Sequence, residues 1–383
     1  MAGTRRLAIA AVVAVSALIA GCAKEPASAP PSRALSSAVS AELDTAISAA
    51  LRAAKAPGVL VGVWSPEGDY AKAFGEANTA SGIPMKADFY SRIGSVTKTF
   101  TATAVLQLVD SGDVGLDDPI ARYVDGVPGG ESITVRQLAT MRSGLPDYLD
   151  NDDFGTTLLA DPTREFTPRQ LLGFAFAKPA VFPPGQRYQY SNTNYILLGL
   201  LVEKVAGTSL PDYLTEHVLN PLGLSNTSLP TGSQFPDPHA TGYTDPTDAG
   251  GPPVDATDWN ASFTWAAGAM ISTLEDMRIW VPACATGQLI SPELQQQRLA
   301  SPPAEGLPAG VGYGMGVFTA SGWIGHNGSL PGYQTVAIYL PERTMTVVAM
   351  INTDITAPDG PQPSTAVVKA ITSVLTPDHV YDL

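Results

Sequence analysis

Ser91-Arg92-Ile93-Gly94-Ser95-Val96-Thr97-Lys98-Thr99-Phe100-Thr101-Ala102-Thr103-Ala104-Val105-Leu106 reads as a loop running into a buried helix. Within it, Ser95 and Lys98 stand at i and i+3, a spacing that places two side chains on one helix face. A serine hydroxyl is a weak nucleophile at neutral pH until an adjacent base takes its proton. A lysine serves as that base when desolvation or a nearby cation lowers its pKa. Ser95 is expected at the helix N-terminus, where the dipole favours developing negative charge. Of the eight lysines in the chain, Lys98 alone has a serine three residues before it.

The N-terminus speaks to compartment. Arg5 and Arg6 precede an apolar run from Leu7 to Ala20 that is short for a membrane span. Ile19-Ala20-Gly21-Cys22 follows and resembles a bacterial lipobox. This implies a lipoprotein signal peptide over 1–21, cleavage before Cys22 and diacylglycerol on its sulfur. The expected location is the outer face of the cell membrane, held by lipid alone. Residues 22–36, rich in Ala, Pro and Ser, read as a disordered tether. The formal net charge of −14 becomes −16 once Arg5 and Arg6 leave, which argues against nucleic acid as a partner. Only Cys22 and Cys284 are present. With Cys22 lipidated no disulfide can form, and Cys284, in Trp280-Val281-Pro282-Ala283-Cys284, is expected to be buried and inert.

The organisation follows from periodicity. Apolar residues Val39, Leu43, Ile47 and Leu51 predict an amphipathic helix over Ser37 to Ala54. Gly58 to Ser65 and Tyr70 to Ala77, joined by Pro66-Glu67-Gly68-Asp69, predict a hairpin. Further strands are expected over Val311 to Phe318, Gly322 to Gly325, Gln334 to Leu340 and Thr344 to Ile351, with a closing helix over Ser364 to Leu375. Between them, Thr134 to Met141, Thr167 to Phe176, Asn194 to Ala206, Leu210 to Val218 and Leu274 to Trp280 read as helices. The expected fold is α+β: one antiparallel sheet built from both ends of the chain and flanked by helices, with a mostly helical lobe inserted at about 120–300 of a 37–383 domain. A small-molecule site is expected in the cleft between sheet and lobe.

Two more segments carry candidate chemistry. Tyr190-Ser191-Asn192 opens the most apolar helix. A neighbouring ammonium would depress the Tyr190 phenol and make it a proton shuttle, and Asn192 offers both a donor and an acceptor to a substrate amide. Gly325-His326-Asn327-Gly328-Ser329 is strand-like, with glycines that let backbone approach a ligand. Here the Ser329 amide would pair with the Ser95 amide as an oxyanion donor.

Ser95-x-x-Lys98, Tyr190-x-Asn192 and His326-x-Gly328, in this order, resemble the motifs of the serine β-lactamase and penicillin-binding-protein superfamily. The form is similar to its class C-type branch of DD-carboxypeptidases and esterases. Leu116-Asp117-Asp118-Pro119-Ile120, Ile133-Thr134-Val135-Arg136-Gln137-Leu138, Ser143-Gly144-Leu145-Pro146 and Trp265-Ala266-Ala267-Gly268 extend the likeness over about residues 40–376. The resemblance implies acylation of Ser95, with Lys98 and Tyr190 moving its proton and Asn192 holding the acyl side-chain amide. His326 takes the place of the third-motif lysine, Trp265 lines the cleft, and Asn327, Gly328 and Ser329 contact substrate. No cofactor is expected. The four histidines, His217, His239, His326 and His379, are scattered without zinc-site spacing, so no metal is expected either.

The third motif departs from the family pattern. Asn327 replaces a hydroxyl that helps bind a substrate carboxylate, and no Arg or Lys lies between Arg298 and His326. No motif supplies a class A-type deacylating glutamate. The reading is therefore a cell-envelope serine hydrolase most like a DD-carboxypeptidase, acting on a small or peptidoglycan-derived acyl substrate, with β-lactams as candidate ligands. An esterase or amidase on another substrate, and a non-catalytic penicillin-binding or sensor lipoprotein, are the alternatives. Oligomeric state is left open.

Overall fold

Two segments more than two hundred residues apart build one sheet in the computed structural model, which describes residues 33–247, 250–302, 304, 306–357 and 360–383. From the N-terminal side come β1 (Gly58–Ser65), β2 (Gly68–Asn78) and β3 (Ile83–Pro84). After the short β4 (Ser91–Arg92), β5 (Tyr243–Thr244), β6 (Val254–Asp255) and β7 (Ile271–Ser272), the C-terminal side supplies β8 (Gly312–Tyr313), β9 (Phe318–Ala320), β10 (Trp323–Leu330), β11 (Tyr333–Leu340) and β12 (Met345–Ile351). The order is β3-β2-β1-β12-β11-β10-β9-β8, and every pairing is antiparallel. The seam between the chain ends is the β1–β12 ladder, in register from Val59 with Ile351 to Trp64 with Thr346.

All of β11 and β12 is buried, so both sheet faces are covered. Helices α1 (Ser37–Ala53) and α11 (Pro363–Leu375) pack together against the sheet, and α9 (Leu274–Thr286) packs against β1 and β10–β12. The lobe holds α2 (Thr97–Asp110), α3 (Val135–Ala139), α4 (Asp152–Ala160), α5 (Pro168–Phe176), α6 (Thr193–Ala206), α7 (Leu210–Leu214), α8 (Asn220–Leu222) and α10 (Pro292–Leu299). Thr134 with Gln137 and Thr167 with Gln170 form capping boxes that start α3 and α5. Helix α2 is buried on nearly every side, and its threonines satisfy their hydroxyls on carbonyls: Thr99 on Val96, Thr103 on Thr99 and Thr101 on Ala266. Phe100 of α2 stacks on Trp280 of α9 at 3.8 Å, tying lobe to sheet.

Three expectations change. The strand expected over Val311 to Phe318 is split into β8 and β9, because Gly314 and Gly316 bring the backbone against the Arg298 and Lys98 carbonyls, where a Cβ would lie at 2.1 and 2.9 Å. β10 runs on to Leu330, well past the expected end at Gly325, because it pairs with β11 throughout. The tether was expected to reach residue 36, yet Arg33 and Leu35 already exchange backbone hydrogen bonds with Asp69, and Ser36 caps α1. The expected signal peptide, Cys22 and the rest of the expected tether lie outside the described residues. Cys284 is buried, with its thiol pKa raised by desolvation. No helix of the described residues is long and apolar enough to cross a membrane.

Candidate active site

Ser95 lies in a 3-10 turn, Gly94–Val96, that feeds directly into α2. Gly94 takes φ +53°, the left-handed conformation that lets the chain swing into the helix. One turn on, the buried Lys98 Nζ donates to Ser95 Oγ at 2.9 Å, Asn192 Oδ1 at 2.7 Å and the Ala267 carbonyl at 2.7 Å. Three acceptors match the three N–H bonds of an ammonium. Neutral Lys98 keeps the two bonds to Asn192 and Ala267 and turns its lone pair to the Ser95 hydroxyl. Burial favours that neutral form, pushing the Lys98 pKa down to about 7 while Asp147 pulls it back up.

The Tyr190-Ser191-Asn192 stretch enters from the start of α6. The Tyr190 hydroxyl lies on the Ser95 side of the site, and its ring lies 4.9 Å from Lys98 Nζ. The phenol is raised well above its ordinary value because desolvation outweighs the lowering effect of Ser95. The expected depression by an ammonium is therefore overturned: the dry site keeps Tyr190 a neutral phenol. Asn192 is fixed by Asp147, which was not read in the sequence. Asp147 Oδ2 accepts both the Asn192 main-chain N–H at 3.0 Å and its side-chain amide at 2.8 Å.

β10 forms the opposite wall. His326 is buried; its Nδ1–H donates to the Asn327 carbonyl, and its Nε2 accepts from Tyr313 at 3.2 Å. Desolvation, with Lys98 adding to it, pushes its pKa down to about 3, so His326 is neutral at physiological pH. The Gly94–Ser95 and Gly328–Ser329 backbones approach closely. A Cβ on Gly328 would stand 2.7 Å from the Ser95 nitrogen, and one on Gly94 would stand 2.8 Å from the Ser329 nitrogen. Both amides thus meet at one junction. Asn327 is half-buried and Ser329 exposed.

Trp265, expected to line the cleft, is half-buried. Its ring packs on α6, where a Cβ on Gly199 would lie 2.8 Å from it. Glycine at 199 is what makes room for the indole there. Its turn, Trp265–Ala267, still serves the site by presenting the Ala267 carbonyl to Lys98. Two buried arginines flank this region and are turned elsewhere. Arg92 donates to the Thr257 and Trp259 carbonyls and lies over Phe235, and Arg298 braces α2 through Thr99, Thr103 and Met315. Among the described residues, the one group of His and acidic side chains close enough to share a metal ion is Glu342, Asp378 and His379, which does not include any residue of this site.

The arrangement is a serine with a desolvated amine on one side, a phenol on the other and two amides beside it. Comparison with known proteins gives the chain its relatives. A D-aminopeptidase of Cereibacter sphaeroides is 30% identical over 299 residues, 75% of this chain and 54% of the relative. The chain spans about half the length of the curated relatives it matches. A D-stereospecific amidohydrolase from Streptomyces sp. superposes with a TM-score of 0.79 at 29% identity, covering 88% of this chain and 98% of that one. The D-amino acid amidase from Ochrobactrum anthropi SV3, complexed with L-phenylalanine amide, gives 0.76 at 26% identity, covering 90% and 97%. Residues 43–371 match the family model described as Beta-lactamase, and with its sheet, inserted lobe and ordered motifs the chain belongs to the β-lactamase/transpeptidase-like family.

Proposed function

We propose that the protein is an amide hydrolase that works through an acyl-enzyme on Ser95, with neutral carboxamides of D-configured amino acids or short peptides as its substrate class. The observation that carries the chemistry is Lys98, buried and hydrogen bonded to Ser95 Oγ at 2.9 Å. Neutral Lys98 takes the Ser95 proton as Oγ bonds to the substrate carbonyl carbon, and the carbonyl π electrons move onto oxygen. The Ser95 and Ser329 amides face that oxyanion. As the tetrahedral centre collapses the C–N bond breaks, and Lys98 returns the proton to the leaving nitrogen through Tyr190. Water then repeats the sequence on the ester and frees Ser95 and the acid.

The substrate class rests on two supports. The relatives named above are described as a D-aminopeptidase, a D-stereospecific amidohydrolase and a D-amino acid amidase. The cleft also offers little to a carboxylate: His326 is neutral, residue 327 is asparagine, and Arg92 and Arg298 are turned away. This favours an amidase over a DD-carboxypeptidase, which must hold a terminal carboxylate. The location that goes with this reading is the outer face of the cell membrane, through lipid on Cys22, and its support is the Arg5 to Cys22 sequence.

The test compares D-phenylalanine amide, L-phenylalanine amide, a D-Ala-D-Ala peptide and a p-nitrophenyl ester on wild type and Ser95→Ala. Turnover of the D-amide with a Ser95 adduct trapped by mass spectrometry is expected. Turnover of the D-Ala-D-Ala peptide alone would restore the carboxypeptidase reading, turnover of the ester alone would make it an esterase, and no adduct with any reagent would leave a binding protein. Palmitate labelling that Cys22→Ser abolishes is the expected result for the anchor.

A further inference from the structure

Asp147 stands just before the turn Tyr148–Asp150 and is 7% exposed. Its two oxygens are fully committed: Oδ1 accepts the Leu149 N–H at 3.1 Å, and Oδ2 accepts the Asn192 main-chain N–H at 3.0 Å and side-chain amide at 2.8 Å. With its NH2 taken by Asp147, the Asn192 amide can only present Oδ1 to Lys98, at 2.7 Å. We infer that Asp147 is a positioning residue for acylation of Ser95, acting through Asn192 to lock Lys98 against the nucleophile. The inference rests on the acyl-enzyme reading above.

A carboxylate is the side chain this position needs, because it alone accepts at both ends. Asparagine has the same shape but must put its NH2 against either the Leu149 N–H or the Asn192 amide. The first choice buries two facing donors. The second sets that NH2 against the Asn192 main-chain N–H and makes the Asn192 side chain flip, so that its NH2 faces the Lys98 amine and the grip on that amine is lost. Charge acts on Lys98 as well, and sets where its acid limb lies rather than how it is held. The titratable groups around Lys98 are Asp147 from the turn, Tyr190 and Tyr195 from the α6 segment and His326 from β10. Of these, Asp147 is the one whose charge opposes the desolvation of Lys98.

The experiment measures Ser95 acylation by a p-nitrophenyl ester from pH 5 to 9 in the full chain. Wild type must first acylate; if it does not, the parent reading fails and not this one. In Asp147→Asn, kcat is expected to fall about 100-fold, the scale of a lost acid–base contribution. KM should stay within about threefold, and the acid-limb midpoint should move below that of wild type. Asn192→Ala and the double variant Asp147→Asn/Asn192→Ala should be equally slow, because a residue acting through another adds nothing once that one is gone. A wild-type pH profile in Asp147→Asn, or losses that multiply in the double variant, would overturn the assignment. If Asp147→Asn does not fold by circular dichroism, Asp147→Ser, whose hydroxyl can still accept from Leu149, takes its place under the same criteria.

Discussion

Replacing Gly328 by alanine tests whether the junction of β10 with the Ser95 turn is where the oxyanion forms. The added Cβ would lie 2.2 Å from the Ile93 carbonyl and 2.7 Å from the Ser95 nitrogen, against 3.4 Å for ordinary contact. The neighbours are backbone, held by β11 on one side and by α2 on the other, so no side chain can swing aside. Relief therefore requires β10 to retreat from the turn by about 1.2 Å, the difference between contact and clash. That motion separates the Ser329 amide from the Ser95 amide. Loss of one oxyanion donor costs about 10²–10³ in kcat, and a misplacement of about 1 Å costs about 10². Gly328→Ala is thus expected to slow acylation by at least about 100-fold, with overpacking lowering stability by about 1–3 kcal/mol. Gly75→Ala on β2 is the control, since its Cβ would meet the Pro57 carbonyl at 2.1 Å at a site remote from Ser95. Both rates are read by burst kinetics with a p-nitrophenyl ester, and both stabilities by thermal melts. Acylation by Gly328→Ala within threefold of Gly75→Ala would show that this junction holds no oxyanion.

Acylation by wild type should rise with pH and level off above a midpoint of about 7, because protonated Lys98 cannot take the Ser95 proton. Below it the rate should fall about tenfold per pH unit, with no second step from His326 above pH 5; a stopped-flow profile that is flat from pH 5 to 9 would rule Lys98 out as the base. Lys98→Met should abolish acylation. Between the folded value of about 7 and the ordinary 10.5, the unfolded chain binds one more proton than the native one. The stability of wild type relative to Lys98→Met should therefore rise across that window, by up to about 1.4 kcal/mol per pH unit, as urea titrations at pH 7, 8.5 and 10 would register. Trp280→Ala removes the stack on Phe100 and the indole bond to Thr99 Oγ1 at 2.8 Å, and should lower stability by about 3–5 kcal/mol in the same assay.

Much of the fold could be read from the chain because strands at its two ends and helices between them leave few ways to bury both faces of a sheet. The proposed nucleophile and base were legible for a local reason: one turn of chain puts Ser95 and Lys98 together. What sets their chemistry was less visible, because it comes from distant segments. Asp147 follows Ser143-Gly144-Leu145-Pro146 in a stretch that looks like ordinary turn chemistry, and only the folded chain carries it to Asn192. The direction of the Tyr190 shift was misjudged for a related reason: sequence shows a lysine that could lie nearby, but it shows neither how dry the site is nor that the same dryness discharges Lys98. The seat of the Trp265 ring was not legible either, because Gly199, some 66 residues earlier, receives it. Helices α4 and α10 were not anticipated; α10 is too polar for an apolar periodicity to mark it.

The seam that joins β1 to β12 has a consequence for synthesis. A ribosome making this chain completes the nucleophile, its lysine and the whole helical lobe before β10, β11 and β12 exist. Until those strands emerge, β1 has β2 on one side but no β12 on the other, and the Ser95 turn has no facing wall. On the proposed mechanism Ser95 therefore stays unarmed through most of the chain's elongation, and the appearance of esterase burst activity in a timed translation would mark the moment the sheet closes.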